Sequence, residues 1–463
     1  MPLPLTLRGA KNSLYRDSMK AEEKAHAKGA HMERHYHLAC PVCGRHFEDS
    51  PSDFLLSCPE PHAPALLRAV YRQKRLVVHP EHTGVFRFSE WLPIRRRLQG
   101  APGPVVFRST NLGPHLGLEN LFIIFNGYWP EKGALMETCT FKELEAQAVC
   151  GRVVPEWESC LVVSSAGNTA RAFLQACSRY SVPALVVVPG NSLPLLWSTR
   201  RPGPSVRLAV LEGDADYSDA IALGNGISNL EGYYSEGGAK NAARRDGMGT
   251  AMLSMVEEAG EIPHHYFQAV GSGTGAIAAW EMNQRLVEDG RYGSRKTRLH
   301  LAQNAPFTPM VDAWEAGART ITGTDDAGAR TRVRSIRAQV LANRNPPYAI
   351  AGGLHDALRD TGGFMYRVTN DESARAGRLF VEQERCDIDA AAEVAVASLL
   401  QARAAGRVGS GDVVALNITG GGRSKLEAAR AIEHLAPDVR FSLADLGHQK
   451  PESRIRELME AAG

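Results

Sequence analysis

The 463-residue sequence predicts an α/β protein organised around a mostly parallel sheet. Two observations point there. From about residue 100 onward, short apolar runs rich in β-branched residues alternate with longer helix-like segments. The turns that follow several of those runs are rich in Gly, Ser, Asn and Thr, and open parallel sheets bind ligands beyond the carboxyl ends of their strands.

The elements follow in chain order. Residues 1–33 are polar and rich in Lys, Ala and Glu, which predicts a loose extension. Met32 directly precedes the first patterned segment, Glu33-Arg34-His35-Tyr36-His37-Leu38, so 1–31 read as upstream of the true start or as a leader. Residues 34–75 carry Cys40-Pro41-Val42-Cys43-Gly44 and Cys58-Pro59-Glu60-Pro61-His62 around a short strand-like stretch. Two thiolates two residues apart, a third thiolate and an imidazole can complete a tetrahedral zinc site at Cys40, Cys43, Cys58 and His62. A small ribbon that has lost its metal and survives on packing explains the same residues. The remaining cysteines, Cys139, Cys150, Cys160, Cys177 and Cys386, lie in apolar segments and read as buried small hydrophobes without disulfides.

The apolar run 161–163 leads into Ser164-Ser165-Ala166-Gly167-Asn168-Thr169, then a helix at 170–180 and a strand at 184–188, forming a βαβ unit. The strand-to-helix order repeats at 206–211 with 214–230, at 266–270 with 276–288, and at 298–302 with 310–316. A last strand, 413–418, ends in Thr419-Gly420-Gly421-Gly422. As a series, these units imply one large sheet.

Three segments carry chemistry. In the asparagine turn, small residues let the backbone approach a ligand, and the start of the following helix offers free N–H donors to an anion such as a substrate carboxylate. Ser165, Ala166, Gly167 and Thr169 would form that cradle; an ordinary Ser/Asn helix cap accounts for the same pattern. Gly271, Ser272, Gly273, Thr274 and Gly275 follow a strand and open a helix, so their N–H groups can converge on one phosphate. The spacing is not GxGxxG, and Ala276-Ile277 replaces the Lys-Ser/Thr ending of a P-loop. Lys142, within Thr140-Phe141-Lys142-Glu143-Leu144-Glu145, starts a predicted helix. Helix-dipole charge and partial desolvation there would lower its pKa and favour the neutral amine that imine exchange requires. A solvated lysine at a helix start is the plain alternative. A lysine, an asparagine turn and a glycine turn in that order are what a pyridoxal phosphate site needs.

Composition excludes other classes. The 53 basic and 51 acidic side chains nearly cancel, which argues against nucleic acid and against an anionic membrane surface as partners. No apolar run reaches membrane-span length and the N-terminus lacks a secretory pattern, so the expectation is a cytoplasmic enzyme of small molecules.

These residues resemble the fold-type II pyridoxal phosphate family, which includes threonine synthase, cysteine synthase and the serine and threonine dehydratases. The segments Asn126-Gly127-Tyr128-Trp129-Pro130-Glu131-Lys132-Gly133-Ala134, Met136-Glu137-Thr138-Cys139 and Phe141 to Ala146 are similar to the cofactor-lysine region of the archaeal cysteate synthase family, a threonine synthase-related branch. The likeness extends through Phe267-Gln268-Ala269-Val270 and the glycine turn, and over most of the chain from about residue 35. It implies a tryptophan synthase β-like fold, with two open, mostly parallel sheets wrapped by helices. A catalytic domain would span 76–463, its smaller subdomain at approximately 135–250, behind the zinc-ribbon-like segment at 34–75.

The resemblance further implies that Lys142 is the Schiff-base lysine and that Asn168 donates to the pyridine 3'-hydroxyl. Residues 271–275 would cup the phosphate, and Thr419 would face the pyridine nitrogen. The implied reaction is β-replacement: O-phospho-L-serine loses phosphate, sulfite adds through sulfur, and L-cysteate is released for coenzyme M synthesis. Lys142 would serve as anchor and as base. Arg108, Lys132, Lys240 and Arg244 are candidates for a pocket that takes phosphate and sulfite in turn. Family members are generally oligomers, which implies a homo-oligomer. Related ribbons commonly close with a second cysteine pair, where this chain has Cys58 and His62. The competing readings are a threonine synthase, a phosphoserine-dependent cysteine synthase, and, from another class, a zinc-ribbon binding module on a non-catalytic α/β body.

Overall fold

The computed structural model describes residues 30–49, 54–154, 156–165, 167–324 and 327–446, with 453, 456 and 457. The strand and helix units form two sheets rather than the single large sheet that their repetition implies. The smaller sheet runs Tyr233–Ser235, Cys160–Ser164, Ala184–Pro189, Val206–Leu211, Val439–Phe441, all parallel. The larger runs Phe364–Val368, Arg298–Asn304, His265–Ala269, Val413–Ile418, Asn120–Phe125, Val105–Arg108, parallel except for the last strand. An apolar run reports that a strand is covered on both faces, and not which neighbour it pairs with. Ala184–Pro189, for example, is buried at every position. Four strands of the smaller sheet fall within 135–250, and the fifth arrives from 439–441.

Between the sheets runs Ala242–Ala259, an 18-residue helix buried on nearly every side. Its N-cap is Asn241, whose side chain accepts from the Ala243 N–H at 3.0 Å. It packs against the helices Lys142–Arg152 and Thr274–Asp289. A Cβ at Gly247 would lie 2.5 Å from the Leu144 carbonyl oxygen, so this crossing requires glycine. Helix Tyr217–Ser228 starts three residues later than the sequence pattern suggests, because Asp216 caps it by accepting from the N–H groups of Ser218 and Asp219.

The N-terminal ribbon is a three-stranded antiparallel sheet in the order His46–Phe47, Tyr36–Ala39, Arg68–Tyr71. The expected loose extension is already tied down at its end: Ala30–His31 pairs with Arg96–Arg97, and the Met32 N–H donates to the Arg95 carbonyl at 2.7 Å. Residues 1–29 lie outside the described residues. Among the described residues no helix is long and apolar enough to cross a membrane.

Candidate active site

A cavity of about 560 Å³ opens between the two sheets, at the carboxyl ends of their strands. Lys142, Ser165, Gly167, Asn168, Thr169, Thr419 and all five residues of the glycine turn line it. Ala166 lies outside the described residues.

Lys142 is the first residue of its helix, and the preceding segment is fixed from the other side of the cavity. The Phe141 N–H donates to the Thr419 carbonyl at 2.9 Å, and Thr140 bridges Gly420. This contact places Lys142 and Thr419 on adjoining walls. A Cβ on Gly420 would come within 2.7 Å of the Cys139 carbonyl oxygen and 2.3 Å of Asp389 Oδ2, so the approach depends on glycine. Burial pushes the Lys142 amine below its ordinary pKa, although Glu145 opposes the shift.

That glutamate is the centre of a buried charge cluster. Glu145 is fully buried; its Oε2 lies 3.4 Å from Lys142 Nζ and its Oε1 lies 2.7 Å from Arg244 Nη2. The Thr169 hydroxyl donates to Oε1 at 2.9 Å, and Arg244 Nη1 reaches Glu236 Oε2 at 2.6 Å. Desolvation works to raise the Glu145 pKa, but Arg244 and Lys142 outweigh it and hold the carboxyl below its usual range. Glu236, with less compensation, is pushed up by burial.

The asparagine turn places Asn168 at the start of helix Asn168–Arg179. Asn168 Oδ1 accepts from Arg171 Nη2 at 2.9 Å, which orients the amide and leaves Nδ2 without a hydrogen-bond acceptor among the described residues. Arg171 also donates to the Thr138 carbonyl at 2.9 and 3.1 Å and to the Leu195 carbonyl at 3.1 Å, joining three segments around the cavity. Ser165 Oγ accepts from the Ala170 N–H at 3.1 Å, so it caps the helix, and the Thr169 hydroxyl is held by Glu145 and Arg244. What this turn leaves for an anion is chiefly its backbone N–H groups.

The glycine turn follows strand His265–Ala269 and opens helix Thr274–Asp289. Gly273 has φ +77°, a left-handed conformation suited to glycine. A Cβ at Gly275 would stand 2.8 Å from Phe141 and 2.9 Å from Gln268. The N–H groups of Gly271, Ser272, Gly273 and Gly275 donate to no protein acceptor among the described residues. A ring of unused donors at a helix start, a free amide donor and an amine of lowered pKa fit a phosphorylated aldehyde with a ring hydroxyl, the group expected from the sequence.

Of the four cations proposed for substrate anions, only Arg244 lines the cavity, and its guanidinium is engaged by Glu145 and Glu236. Arg108 is exposed and donates to the Glu119 carbonyl, Lys132 is exposed with Nζ 4.4 Å from the centre of the Phe107 ring, and Lys240 is exposed at the end of a short turn. Sequence reasoning passed over Arg330, Arg334, Arg344 and Asp389, which do line it. Asp389 caps helix Ala390–Ala404 through the Ala392 N–H at 2.7 Å, and burial pushes its carboxyl up to about 6. Its place directly before an alanine-rich apolar run was the available signal.

In the ribbon, one ligand atom from each of Cys40, Cys43, Cys58 and His62 falls within 4.8 Å of the others. Cys43 Sγ and Cys58 Sγ are 3.7 Å apart, close to the edge of about 3.8 Å expected of a tetrahedron with zinc–sulfur bonds of about 2.3 Å. His62 Nδ1 lies 2.6 Å from the Ala63 carbonyl, which turns Nε2 toward Cys40 Sγ at 3.3 Å. The donor set fits a structural zinc.

A family described as pyridoxal-phosphate dependent enzyme matches residues 108–420. The chain is 50% identical to a cysteate synthase of Methanoculleus marisnigri over 87% of its own length and 91% of that protein. It is 43% identical to a cysteate synthase of Methanosarcina acetivorans over 88% of its length and 97% of that protein. Among solved structures, a bacterial threonine deaminase from T.th. superposes with TM-score 0.51 at 18% identity, covering 69% of this chain and 92% of that one. A maize serine racemase gives 0.52 at 16% identity, covering 70% and 90%. At such identities these two show the shared fold.

Proposed function

Since the chain belongs to the pyridoxal-phosphate dependent enzymes, within the cysteate synthase family, we propose that it replaces the phosphate of O-phospho-L-serine with sulfite to give L-cysteate and phosphate, for coenzyme M synthesis. The observation that carries the residue assignments is the meeting, in one cavity, of Lys142, the free amide donor of Asn168 and the open N–H ring of 271–275.

When bound, pyridoxal phosphate supplies an electron sink that acidifies the Cα proton of the amino acid and lets its β-substituent leave. Lys142 would hold the aldehyde at rest, with Asn168 Nδ2 donating to the ring hydroxyl and Gly271, Ser272, Gly273, Thr274 and Gly275 surrounding the phosphate. The Thr419 hydroxyl, unlike a carboxylate, leaves the ring nitrogen unprotonated, which suits elimination. The N–H groups of Gly167, Asn168 and Thr169 would receive the substrate carboxylate. Once the substrate amine has taken its place, the neutral Lys142 amine removes the Cα proton. The Cβ–O bond breaks and its electron pair leaves with phosphate. The sulfur lone pair of sulfite forms the Cβ–S bond, Lys142 returns the proton to Cα, and no net oxidation occurs. Glu145 and Arg244 hold the amine where it meets that proton.

We further assign Cys40, Cys43, Cys58 and His62 to a structural zinc; the chemistry has no need of a catalytic one.

The test offers the holoenzyme O-phospho-L-serine with sulfite, with sulfide or alone, and phosphohomoserine with water, and weighs the products. Cysteate as the main product is expected. Threonine, cysteine or abundant pyruvate without sulfonate would replace the reading by a threonine synthase, a cysteine synthase or a lyase. Lys142→Ala should abolish the visible cofactor band; an unchanged spectrum would remove the catalytic assignment.

A further inference from the structure

The replacement reaction brings two multiply charged anions to one carbon, yet Arg244 inside the cavity already faces two carboxylates. The remaining arginines of the cavity lie on its outer wall. Arg330 and Arg334 project from helix Ala327–Ser335 four positions apart, on one face, and Arg344 follows the short turn Gln339–Leu341. Each is paired with a carboxylate on the opposite wall, in the loop between Val206–Leu211 and Tyr217–Ser228. Arg344 Nη2 lies 2.5 Å from Asp216 Oδ2 and 3.2 Å from the Ser218 hydroxyl, Arg330 lies 3.9 Å from Asp216, and Arg334 lies 3.3 Å from Asp214.

We propose that Arg330 and Arg334, with Arg344 as their fixed neighbour, form the subsite for tetrahedral and pyramidal oxyanions, taking first the phosphate of the substrate and then sulfite, with Asp214 holding its place between occupants. This rests on the reading of the reaction given above. The three pairs are built differently. Arg344 is 13% exposed, and its carboxylate partner also caps a helix, so that pair is anchored. In the Arg334–Asp214 pair the side chains are 71% and 85% exposed, and Arg330 is 48% exposed at a distance beyond hydrogen bonding. Exposed pairs of this kind contribute little and exchange readily. A divalent oxyanion between Arg330 and Arg334 offers each guanidinium more charge and a bidentate acceptor than Asp214 does. The two walls belong to different sheets, so the same exchange decides how firmly the cavity mouth is bridged.

The test uses the holoenzyme, in which the glycine turn is already filled by the cofactor phosphate. Inorganic phosphate, and separately sulfate, are titrated calorimetrically into the wild type, R330Q/R334Q and D214N, with thermal unfolding as a check on folding. The double substitution should weaken both anions about tenfold or more and flatten the dependence of affinity on salt. D214N should tighten them, because Arg334 is released, whereas a merely structural pair would leave affinity unchanged or lower it. Equal affinity in wild type and R330Q/R334Q, weaker binding in D214N, or no phosphate binding to the wild type would overturn the proposal. If phosphate binding behaves as expected while phosphoserine and sulfite yield no cysteate, the subsite stands and the reading of the reaction falls.

Discussion

Replacing Glu145 by Gln removes the one carboxylate in contact with the Lys142 amine while keeping an oxygen to accept from Thr169. At the 3.4 Å separation observed, a unit charge pair at an effective dielectric of about 20 is worth ~5 kcal/mol. The Lys142 side chain is 19% exposed in a cavity open to solvent, so we take about half of that, or roughly two pKa units at 1.36 kcal/mol each. Glu145 favours the protonated amine, so its loss lowers the lysine pKa further. Arg244, which also lowers it, remains held by Glu236. A base must be neutral to take the Cα proton, so the acid limb of the kcat profile should move about two units toward lower pH. The complementary Arg244→Met removes a like charge and should move that limb upward. Steady-state kcat against pH, with phosphoserine and sulfite saturating, measures both. An unmoved limb in Glu145→Gln, or a shift to higher pH, would show that Glu145 does not set the state of the amine. Since removing one partner from a buried ion pair can cost about 3–5 kcal/mol, the thermal midpoint is read alongside.

The other predictions follow from single contacts. Arg171→Met leaves the Thr138 and Leu195 carbonyls and Asn168 Oδ1 without their donor; stability should fall by about 2–4 kcal/mol and the visible cofactor band should shift as Asn168 turns, and an unchanged spectrum would detach Asn168 from the cofactor. Asp389, pushed up to about 6 in the folded chain against about 3.9 unfolded, binds its proton more tightly when folded. Its contribution is therefore complete below about pH 4 and lost as pH rises through 6. Asp389→Asn keeps the helix cap, so it should raise stability by about 1–2 kcal/mol at pH 7.5 and by nothing near pH 4, after allowance for solvent screening; urea unfolding at the two pH values decides, and a stabilisation equal at both would contradict the burial argument. Elemental analysis should find about one zinc per chain, lost in Cys58→Ser together with several degrees of thermal stability, and a metal-free wild type would leave the cluster without its assigned role.

The parts of the site legible in the sequence are those whose local backbone makes them what they are. Lys142 begins a helix, Gly273 takes a left-handed turn, and the 271–275 N–H groups open a helix because of residues beside them in the chain. The charge cluster was hidden for the opposite reason. Glu145 and Arg244 are 99 residues apart and meet only because the helices carrying them pack together, so neither the buried carboxylate nor the commitment of Arg244 has a local signature. Arg330, Arg334 and Arg344 sit in the stretch between Arg298–Asn304 and Leu354–Thr361, where apolar periodicity is weak and the helix Ala327–Ser335 buries only Ala329 among its described side chains. Pairing of the strands into two sheets is likewise a long-range choice, taken where Ala242–Ala259 carries the chain from one sheet to the other.

The same helix explains what the ribbon does for a cavity it does not line. Lys142–Arg152 presents its amine at one end, and at the other Arg152 is fully enclosed, with Nη2 2.5 Å from Asp49 Oδ1 of the ribbon and Nη1 2.7 Å from Asn241 Oδ1. Asp49 in turn accepts from the Tyr36 hydroxyl at 2.5 Å, and Asn241 caps the helix that bears Arg244. A buried arginine without its carboxylate would carry an uncompensated charge, so the ribbon and the two helices must dock together or not at all. That requirement fixes the axial position of the lysine helix, and with it the meeting of Lys142, Glu145 and Arg244. A small metal-binding ribbon thereby bears on catalysis through position alone: a shift at Arg152 reaches the amine along one rigid helix of 11 residues.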